Sequence, residues 1–452
     1  MRRSLPVLAL ALCLAAGAAA QPPVLTLEEA VALALESNPI LAAETAGARA
    51  AEAGARESRA ARWPRLRVSA DAGRTTDPVA VFGGLLRQER FAARHFDPGF
   101  LNEPDPLTSY RASLSVEQAL WSGGRIAAGL EGAERAAESA GHLRERARQE
   151  LVFRVLDRYT AAVVARQAVA VRRGSLETAL KSVRLARDRF ETGLVVESDV
   201  LQARVRESEA EAELAEAERD AAVAAASLNL ELGRDLETPL SLPDRLPEAL
   251  EGPELPAEAN HVAIEEVALE ADGELDRRPD LLAARAGVEA ARAVLDAARA
   301  GRLPELGWGG SYAAEAEDPS DAPGSHWSIG LGLAWTGFDG FANAARVEAA
   351  RARLEQAERL AEHTRRTAAL ELEAARRSLA AARLRWRVAR EAVTLAERSA
   401  VIVQDRYREG MTTVVELLEA ESLLAGSRSR ELRARRDLVM AEGELDLALG
   451  RL

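Results

Sequence analysis

The side chains that most often carry catalysis are sparse in this chain and are not grouped. None of its five histidines stands in an HExxH pair or in another spacing typical of a zinc site. They are His95, His142, His261, His326 and His363. No GxSxG, Walker A or GxGxxG motif stands at a predicted strand-to-helix turn. The sequence therefore predicts no active site, no resident metal and no cofactor, and the chain is not expected to be an enzyme.

One pair of acidic residues is placed where its charge could act on passing cations. Glu416 and Glu419 are three residues apart near the start of a predicted helix, so both carboxylates fall on one helix face. Gathered carboxylates attract cations and repel one another. The local alternative is structural, because Thr413-x-x-Glu416 has the form of a capping box and acidic residues in a first turn favour the helix dipole.

The first twenty residues have the layout of a secretory signal peptide. Two arginines precede an apolar run, and three alanines precede Gln21. Cys13 is the only cysteine and lies inside that run, where it is poorly placed for lipidation. The mature chain is therefore expected to leave the cytoplasm without a disulfide or a thiolate metal site.

Charge and hydropathy restrict the possible partners. The chain has 59 Lys and Arg against 72 Asp and Glu, a net charge of -13, which disfavours nucleic acid as a partner. After residue 20 no run of about eighteen uncharged apolar residues exists, so no helix is predicted to cross a membrane. Membrane insertion would have to use strands.

Two copies of one unit follow each other along the chain. LNLELGR at 228–234 and LDLALGR at 445–451 share a register that also superposes FETG at 190–193 on YREG at 407–410. The predicted organisation is a signal peptide at 1–20, a first repeat at 21–234, a proline-rich linker at 235–260 and a second repeat at 261–452. The first copy has an insertion between Pro64 and Trp121, whose Gly, Pro and Asp residues predict a long loop with several aromatic side chains.

Each copy is predicted to contain a helix, two strands, a very long helix, a tight turn and a return helix. Thr26-x-x-Glu29 is a capping box that opens the first helix. The segments at about 124–189 and 341–406 lack proline and are rich in Ala, Glu, Arg and Leu, which predicts helices roughly 100 Å long. Val152, Val155, Leu156, Tyr159, Ala162 and Val163 form an apolar stripe on the first of these. Such a rod needs partner helices along its length.

Four segments alternate between apolar and polar residues in the manner of strands. They follow Pro64 and Pro304 and also comprise SYRASLSVEQALW and HWSIGLGLAWTG. Their apolar faces carry four aromatic residues, Trp308, Tyr312, Trp327 and Trp335. Since bacterial barrels have about eight strands or more, four strands predict a barrel shared between chains. The alternative is a soluble β-sandwich with the aromatic residues in its core.

Several of these segments together resemble the TolC-like outer-membrane factors. QALWSGGR at 118–125 and TGFDGFA at 336–342 are similar to the strand-to-helix junctions of that family, and FETGLVVESDVLQA and YREGMTTVVELLEA to its two hairpin tips. The resemblance covers the mature chain. It implies a fold that is mainly α with a small β part: a long antiparallel α-helical coiled-coil barrel, and four strands per chain in a trimeric, twelve-stranded transmembrane barrel.

The resemblance also assigns roles to individual positions. The tip residues would dock a periplasmic adaptor; they are Gly193, Leu194, Val195, Gly410, Met411 and Thr412. Glu416 and Glu419 would ring the periplasmic entrance as a gate. Asp199, which with Gln202 matches that pair in the first copy, and Tyr407 are further gate candidates. The local alternatives are turn glycines at 193 and 410, helix caps or links between hairpins at 199 and 202, and core packing for Tyr407.

The implied function is passive export. The chain would form the outer-membrane part of a tripartite efflux or type I secretion system, with an inner-membrane pump reached through the adaptor. Its helices would lie in the periplasm. Two other classes remain open on the sequence: a periplasmic adaptor, and a secreted coiled-coil scaffold.

Overall fold

A computed structural model describes residues 24–246 and 275–452. The predicted signal peptide with Cys13, His261 and the last part of the predicted linker, 247–260, lie outside the described residues. The chain divides into two compact units. Among the described residues, the helical unit is drawn from 24–41, 148–246 and 372–452, and the sheet unit from 42–147 and 275–371.

The described chain is mainly helical, and its elements repeat in order. They are α1 (Leu27–Ser37), α2 (Pro39–Ala60), β1 (Arg65–Thr75), α3 (Pro78–Arg87), a 3-10 helix (Ala93–Phe96), α4 (Pro98–Asn102), β2 (Leu107–Trp121), α5 (Arg125–Glu191), α6 (Glu197–Glu231), α7 (Pro279–Ala300), β3 (Glu305–Ala316), β4 (Gly324–Ala334), α8 (Ala342–Arg408) and α9 (Val414–Leu449). The predicted fold class and the two long helices are confirmed. No helix among residues 24–246 and 275–452 has the length and hydropathy to span a membrane.

The chain opens with two helices where one was predicted. The capping box is confirmed: Thr26 accepts from the Glu29 N–H at 3.2 Å, and Glu29 accepts from the Thr26 N–H at 3.0 Å. The helix stops at Asn38, because Pro39 has no N–H to continue it. Asn38 Oδ1 then accepts the Ile40 N–H at 2.9 Å and starts α2.

The predicted apolar stripe of α5 forms the core of the helical unit. Val155, Tyr159 and Val163 are fully buried and pack with residues from α1, from the end of α6 and from the segment after it. The Tyr159 hydroxyl donates to the Leu25 carbonyl at 2.9 Å, and burial raises the pKa of Tyr159 to about 12. A buried phenol with a partner fixes the register of these elements.

Small residues let the helices of this unit approach closely. Many of the buried positions of α9 are alanines. At Gly443 an added Cβ would lie 2.5 Å from Leu156 Cδ2 on α5. A larger residue at 443 would therefore push these two helices apart.

The sheet unit contains one antiparallel sheet in the order β1-β2-β3-β4. Thr75 pairs with Leu107, Tyr110 with Ala316, and Glu315 with Gly324, so the β1–β2 and β3–β4 connections leave the same end of the sheet. All four strands meet the helices at the opposite end. Among the described residues β1 and β4 each pair on one side only.

The two faces of this sheet differ sharply. The apolar face carries Leu66, Val68, Tyr312, Trp327, Ile329, Leu331 and Leu333, which are all at least half exposed. The polar face carries serines that bond across strands, with 2.8 Å between the Ser69 and Ser113 hydroxyls and 2.9 Å between those of Ser311 and Ser328. The exposed apolar residues contradict the β-sandwich alternative, in which they would be core. Trp335 lies just beyond β4, and its indole N–H donates to the Arg302 carbonyl at 3.1 Å.

The insertion between β1 and β2 is folded, and the prediction of a long loop was wrong. Asp77 accepts the Ala80 N–H at 2.7 Å and caps α3, while Asp97 accepts the Gly99 N–H at 2.9 Å and caps α4. A proline follows each aspartate at the first helical position, where its missing N–H costs nothing. Two of the three Asp-Pro pairs that suggested loop punctuation are therefore helix starts, and the third, Asp105-Pro106, leads into β2.

Candidate functional site

The two helical hairpins of the helical unit end in the same turn. Gly193 has φ +73° and Gly410 φ +80°. The Gly193 N–H donates to the Phe190 carbonyl at 2.9 Å, and the Gly410 N–H to the Tyr407 carbonyl at 3.1 Å. In each hairpin the next N–H reaches one residue further back, which completes a Schellman motif. The predicted need for positive φ at both glycines is confirmed.

Apolar side chains project at both turns. Leu194, Val196 and Met411 are 72%, 63% and 64% exposed, while Val195 and Thr412 are half-buried. Exposed apolar residues at a hairpin end offer contact area to a partner. The candidate docking residues thus lie together at the ends of the two hairpins, with Val196 as an addition that the sequence did not single out.

The acidic pair lies in the first turns of α9, with both side chains exposed. Thr413 Oγ1 accepts the Glu416 N–H at 3.3 Å, which is half of the predicted capping box. The Glu416 carboxylate does not return to the cap backbone; it accepts the hydroxyl of Thr412 instead. No residue in the described part of the chain bonds to the Glu419 carboxylate, so Glu419 is the freer of the two.

The matching pair of the first copy is arranged differently. Asp199 is half-buried and Gln202 is exposed in the first turns of α6. The cap position is Val196, which has no side-chain cap bond. Neither Asp199 nor Gln202 forms a side-chain hydrogen bond with the residues described, so the predicted capping or linking role is not seen. Hairpin 1, formed by α5 and α6, therefore starts its return helix without the side-chain cap that Thr413 gives hairpin 2, formed by α8 and α9.

Tyr407 is packed inside the tip. It is 1% exposed and forms a cluster with Val414 and Leu417. The guanidinium of Arg189 lies 4.6 Å from the centre of its ring, within the range of a cation–π contact. Burial raises the pKa of Tyr407, while Arg189 opposes that rise and Asp199 adds to it. The phenol oxygen is buried, and no residue in the described ranges bonds to it.

Arg189 joins the two hairpins, and sequence reasoning missed it. Besides its contact with Tyr407, it donates from Nη2 to the Arg408 carbonyl at 2.6 Å. That carbonyl belongs to the last turn of α8, where four carbonyls lack helical partners. One side chain of hairpin 1 therefore satisfies a backbone group of hairpin 2. The sequence signal that could have indicated this role is the position of Arg189 in the last turn of α5, where a positive charge favours contact with helix carbonyls.

A second polar link between the hairpins lies further from the tips. Ser182 on α5 donates to the Glu421 carboxylate on α9 at 3.0 Å. A cavity of about 60 Å³ lies beside it and is also lined by Arg206. Burial raises the pKa of Glu421, and the Ser182 hydrogen bond and the charge of Arg206 act against that rise.

Comparison with known proteins decides the class of the molecule. The family model of the outer membrane efflux protein matches residues 30–234 and 272–451. The chain belongs to the outer membrane efflux protein family. The predicted resemblance is confirmed, and the matched segments are one copy each of the repeat. Within the described ranges no group of three or more His, Cys, Asp or Glu could hold a metal.

Solved structures agree with this membership. A membrane protein from Pseudomonas aeruginosa is 25% identical, with a TM-score of 0.77 over 94% of this chain and 93% of that chain. The outer membrane protein VceC from Vibrio cholerae is 21% identical, with a TM-score of 0.77 over 94% and 96%, and shows the same fold. Protein CyaE of Bordetella pertussis is 30% identical over 298 residues, 64% of this chain and 59% of that relative. The aligned part thus spans about three fifths of that relative's length.

Membership in the efflux family settles location and broad role. This efflux-family protein is an outer-membrane component of the efflux class. The family is one of passive channels and not of enzymes. The adaptor and scaffold alternatives are therefore wrong.

Proposed function

We propose that three copies of this chain form a passive duct through the outer membrane and periplasm, without catalytic activity. The sheet carries this proposal: it has one exposed apolar face, one polar face and two edges that pair on one side only. Unpaired backbone groups are too costly in lipid for an open sheet to span a bilayer. The β4 edge of one copy pairs with the β1 edge of the next, and lipid covers the apolar face.

The width of the barrel sets the smallest number of copies, and the family resemblance implies three. Two copies would give about eight strands, and a barrel of that size is filled by its own side chains. Three copies give twelve strands and leave a bore, which a duct needs. The polar face, with Ser311 and Ser328, then lines the bore.

A periplasmic adaptor docks at the hairpin ends. Leu194, Val196 and Met411 offer apolar area there, and the two Schellman turns present it in the same backbone geometry. A helical hairpin of an adaptor has the shape to fit between two such ends. An inner-membrane pump that binds the adaptor supplies the energy, because this chain has no nucleotide-binding motif.

Glu419 is the principal carboxylate of the periplasmic gate, with Glu416 and Asp199 as secondary contributors. Its carboxylate is exposed and has no partner within the described chain, whereas Thr412 holds that of Glu416. Three copies would place three Glu419 side chains around one axis, where they attract cations and repel one another. The gate opens when the hairpins separate under adaptor contact.

The test is single-channel conductance of the purified mature chain in a planar bilayer, with its mass in detergent. A trimer with stable conductance steps supports the duct. Glu419→Gln is expected to reduce cation selectivity, and Glu211→Gln on α6, an exposed carboxylate away from the tips, to leave it unchanged. Conductance steps with unaltered selectivity would keep the duct and reject Glu419 as the gate. Failure of the wild type to insert would reject the duct.

A further inference from the structure

The insert, residues 76–106, lies against the polar face of the sheet. Its helix α3 reaches Glu315 of β3, and the Arg87 guanidinium donates from Nε to the Glu315 carboxylate at 2.9 Å. Glu315 belongs to the polar face, since it alternates with Ala314 and Ala316 on the apolar side. The insert therefore covers the face that the proposed function turns toward the bore.

A second polar contact holds the insert there. The Gln88 amide of the insert donates to the Thr108 carbonyl of β2 at 2.9 Å. Ser109 of β2, outside the insert, also donates to Glu315, at 2.7 Å, and so fixes the carboxylate that Arg87 binds. The Glu315 side chain is only 4% exposed. A buried carboxylate with two donors is a strong anchor, because losing either donor leaves buried charge poorly compensated.

Two glycines allow the insert to approach the strands too closely for any side chain between them. A Cβ on Gly324, at the start of β4, would lie 2.0 Å from the Arg87 carbonyl oxygen. A Cβ on Gly84 of α3 would lie 2.4 Å from Leu107 Cδ2. The end of α3 thus rests on the first residues of β2 and β4, across the width of the sheet.

An aromatic cluster packs the inside of the insert. The rings of Phe82 and Phe91 are 5.0 Å apart, as are those of Phe91 and Phe96, and both pairs meet edge to face. Phe91 and Phe100 also pack against the buried cluster of α3 and β2. Each such pair contributes about 0.5–1.5 kcal/mol beyond its buried area, so the insert packs around an aromatic core of its own.

The burial pattern of β3 marks where the insert stops. Ala313 on the polar face is 2% exposed, whereas Ser311, two residues further from the loop end, is exposed. Both side chains point to the same side of the strand. On β3 the polar face is therefore covered at Ala313 and Glu315, toward the loop end, and exposed at Ser311.

We propose that the insert is a fixed constriction at the outer mouth of the duct, which sets the largest cargo that can leave. The inference rests on the proposed function, which places the polar face in the bore of a trimer. Three copies bring three inserts to one opening. Escape of cargo is then limited at the outer end as well as at the periplasmic gate.

The first experiment removes the insert. Thr75 and Leu107 are paired across the strands, so an Asn-Gly turn can join them directly. We expect the shortened protein to form trimers whose single-channel conductance is about twofold higher or more, because a narrow series element has been removed. Asp321→Ala in the β3–β4 loop is the matched control and should leave conductance unchanged.

The outcomes separate this proposal from the duct itself. A shortened protein with wild-type conductance would overturn the constriction and leave the duct standing. Absence of conductance in the wild type would overturn both.

A second experiment uses the full chain and does not depend on deletion. In the mature chain, from which the predicted signal peptide with Cys13 has been removed, Ser311→Cys should react with a membrane-impermeant charged thiosulfonate about tenfold faster than Ala313→Cys, because thiolate access controls the rate. Adding Glu315→Ala should raise the rate at Ala313→Cys. Modification of Ser311→Cys should lower conductance if the polar face lines the bore. Equal rates at both positions would overturn the proposal.

Discussion

Replacing Tyr407 by Phe removes one hydroxyl from the tip of hairpin 2 and keeps the ring. That hydroxyl is buried and has no partner in the described part of the chain. Removing an unpaired buried polar group recovers part of a desolvation cost of about 1–3 kcal/mol. The expected gain is about 1 kcal/mol, the lower end of that range, because the lost oxygen also leaves a small void. Arg189 keeps its contact with the Phe ring.

Amide hydrogen exchange of residues 403–417 in the assembled protein measures this gain. Local opening of the tip governs exchange there, and 1 kcal/mol corresponds to about fivefold slower exchange. Tyr407→Ala is the opposite control, since loss of a buried aromatic ring costs about 3–5 kcal/mol and should leave the tip unprotected.

The result also decides the role of Tyr407. If the ring is core and the hydroxyl idle, Tyr407→Phe leaves single-channel conductance unchanged. Faster exchange or a larger conductance in Tyr407→Phe would show that the hydroxyl makes a bond in the assembly. The gate role that the resemblance implied for Tyr407 would then stand.

Three further changes are predicted. Gly410→Ala should destabilise the hairpin 2 turn by about 1–2 kcal/mol. The cost comes from φ +80° alone, because an added Cβ would contact no other atom. Gly410→Asn should cost less, and amide exchange near residue 410 measures both. Arg278→Met removes the guanidinium that lies 2.7 Å from both Asp280 and Glu371. Arg146 remains 4.0 Å from Glu371, so the expected loss by denaturant unfolding is about 2 kcal/mol, with no rescue by Arg278→Lys. Because the pKa of Glu421 is raised, its protonated form contributes stability that is present at low pH and lost as pH rises above the ordinary pKa of a glutamate. Glutamine resembles the protonated form at every pH. Glu421→Gln should therefore change stability only above that pKa and should flatten the pH dependence of amide exchange at the tip.

The features that could be predicted from the sequence are those set by local composition, by the periodicity of apolar residues or by the φ angle that one position requires. The long helices follow from proline-free runs of good helix formers, and their observed ends lie within two residues of the predicted ones. The strands follow from alternation, and the glycines at 193 and 410 from the need for positive φ at a reversal. Each of these signals is local, so one chain suffices to read it.

The insert shows where local signals fail. DPVAVFGGLLR contains proline and two glycines, which favour a loop by composition. The structure uses the proline at the first turn of α3 and Gly84 for close approach to Leu107. That second use depends on a contact with β2, which the composition of α3 alone does not reveal. Links such as Arg189 to Arg408 depend in the same way on how two hairpins meet.

Duplication gives the two hairpins the same turn, but their side chains give them different stability. Tyr407 is buried in a cluster, while Phe190, its counterpart, is 44% exposed. Thr413 caps α9, while Val196 leaves α6 without a side-chain cap, a difference of about 1 kcal/mol in helix stability. Both differences make hairpin 2 the more firmly held. If a partner displaces one hairpin end before the other, we expect hairpin 1 to move first, because it is the less firmly held. Arg189 must then release the Arg408 carbonyl.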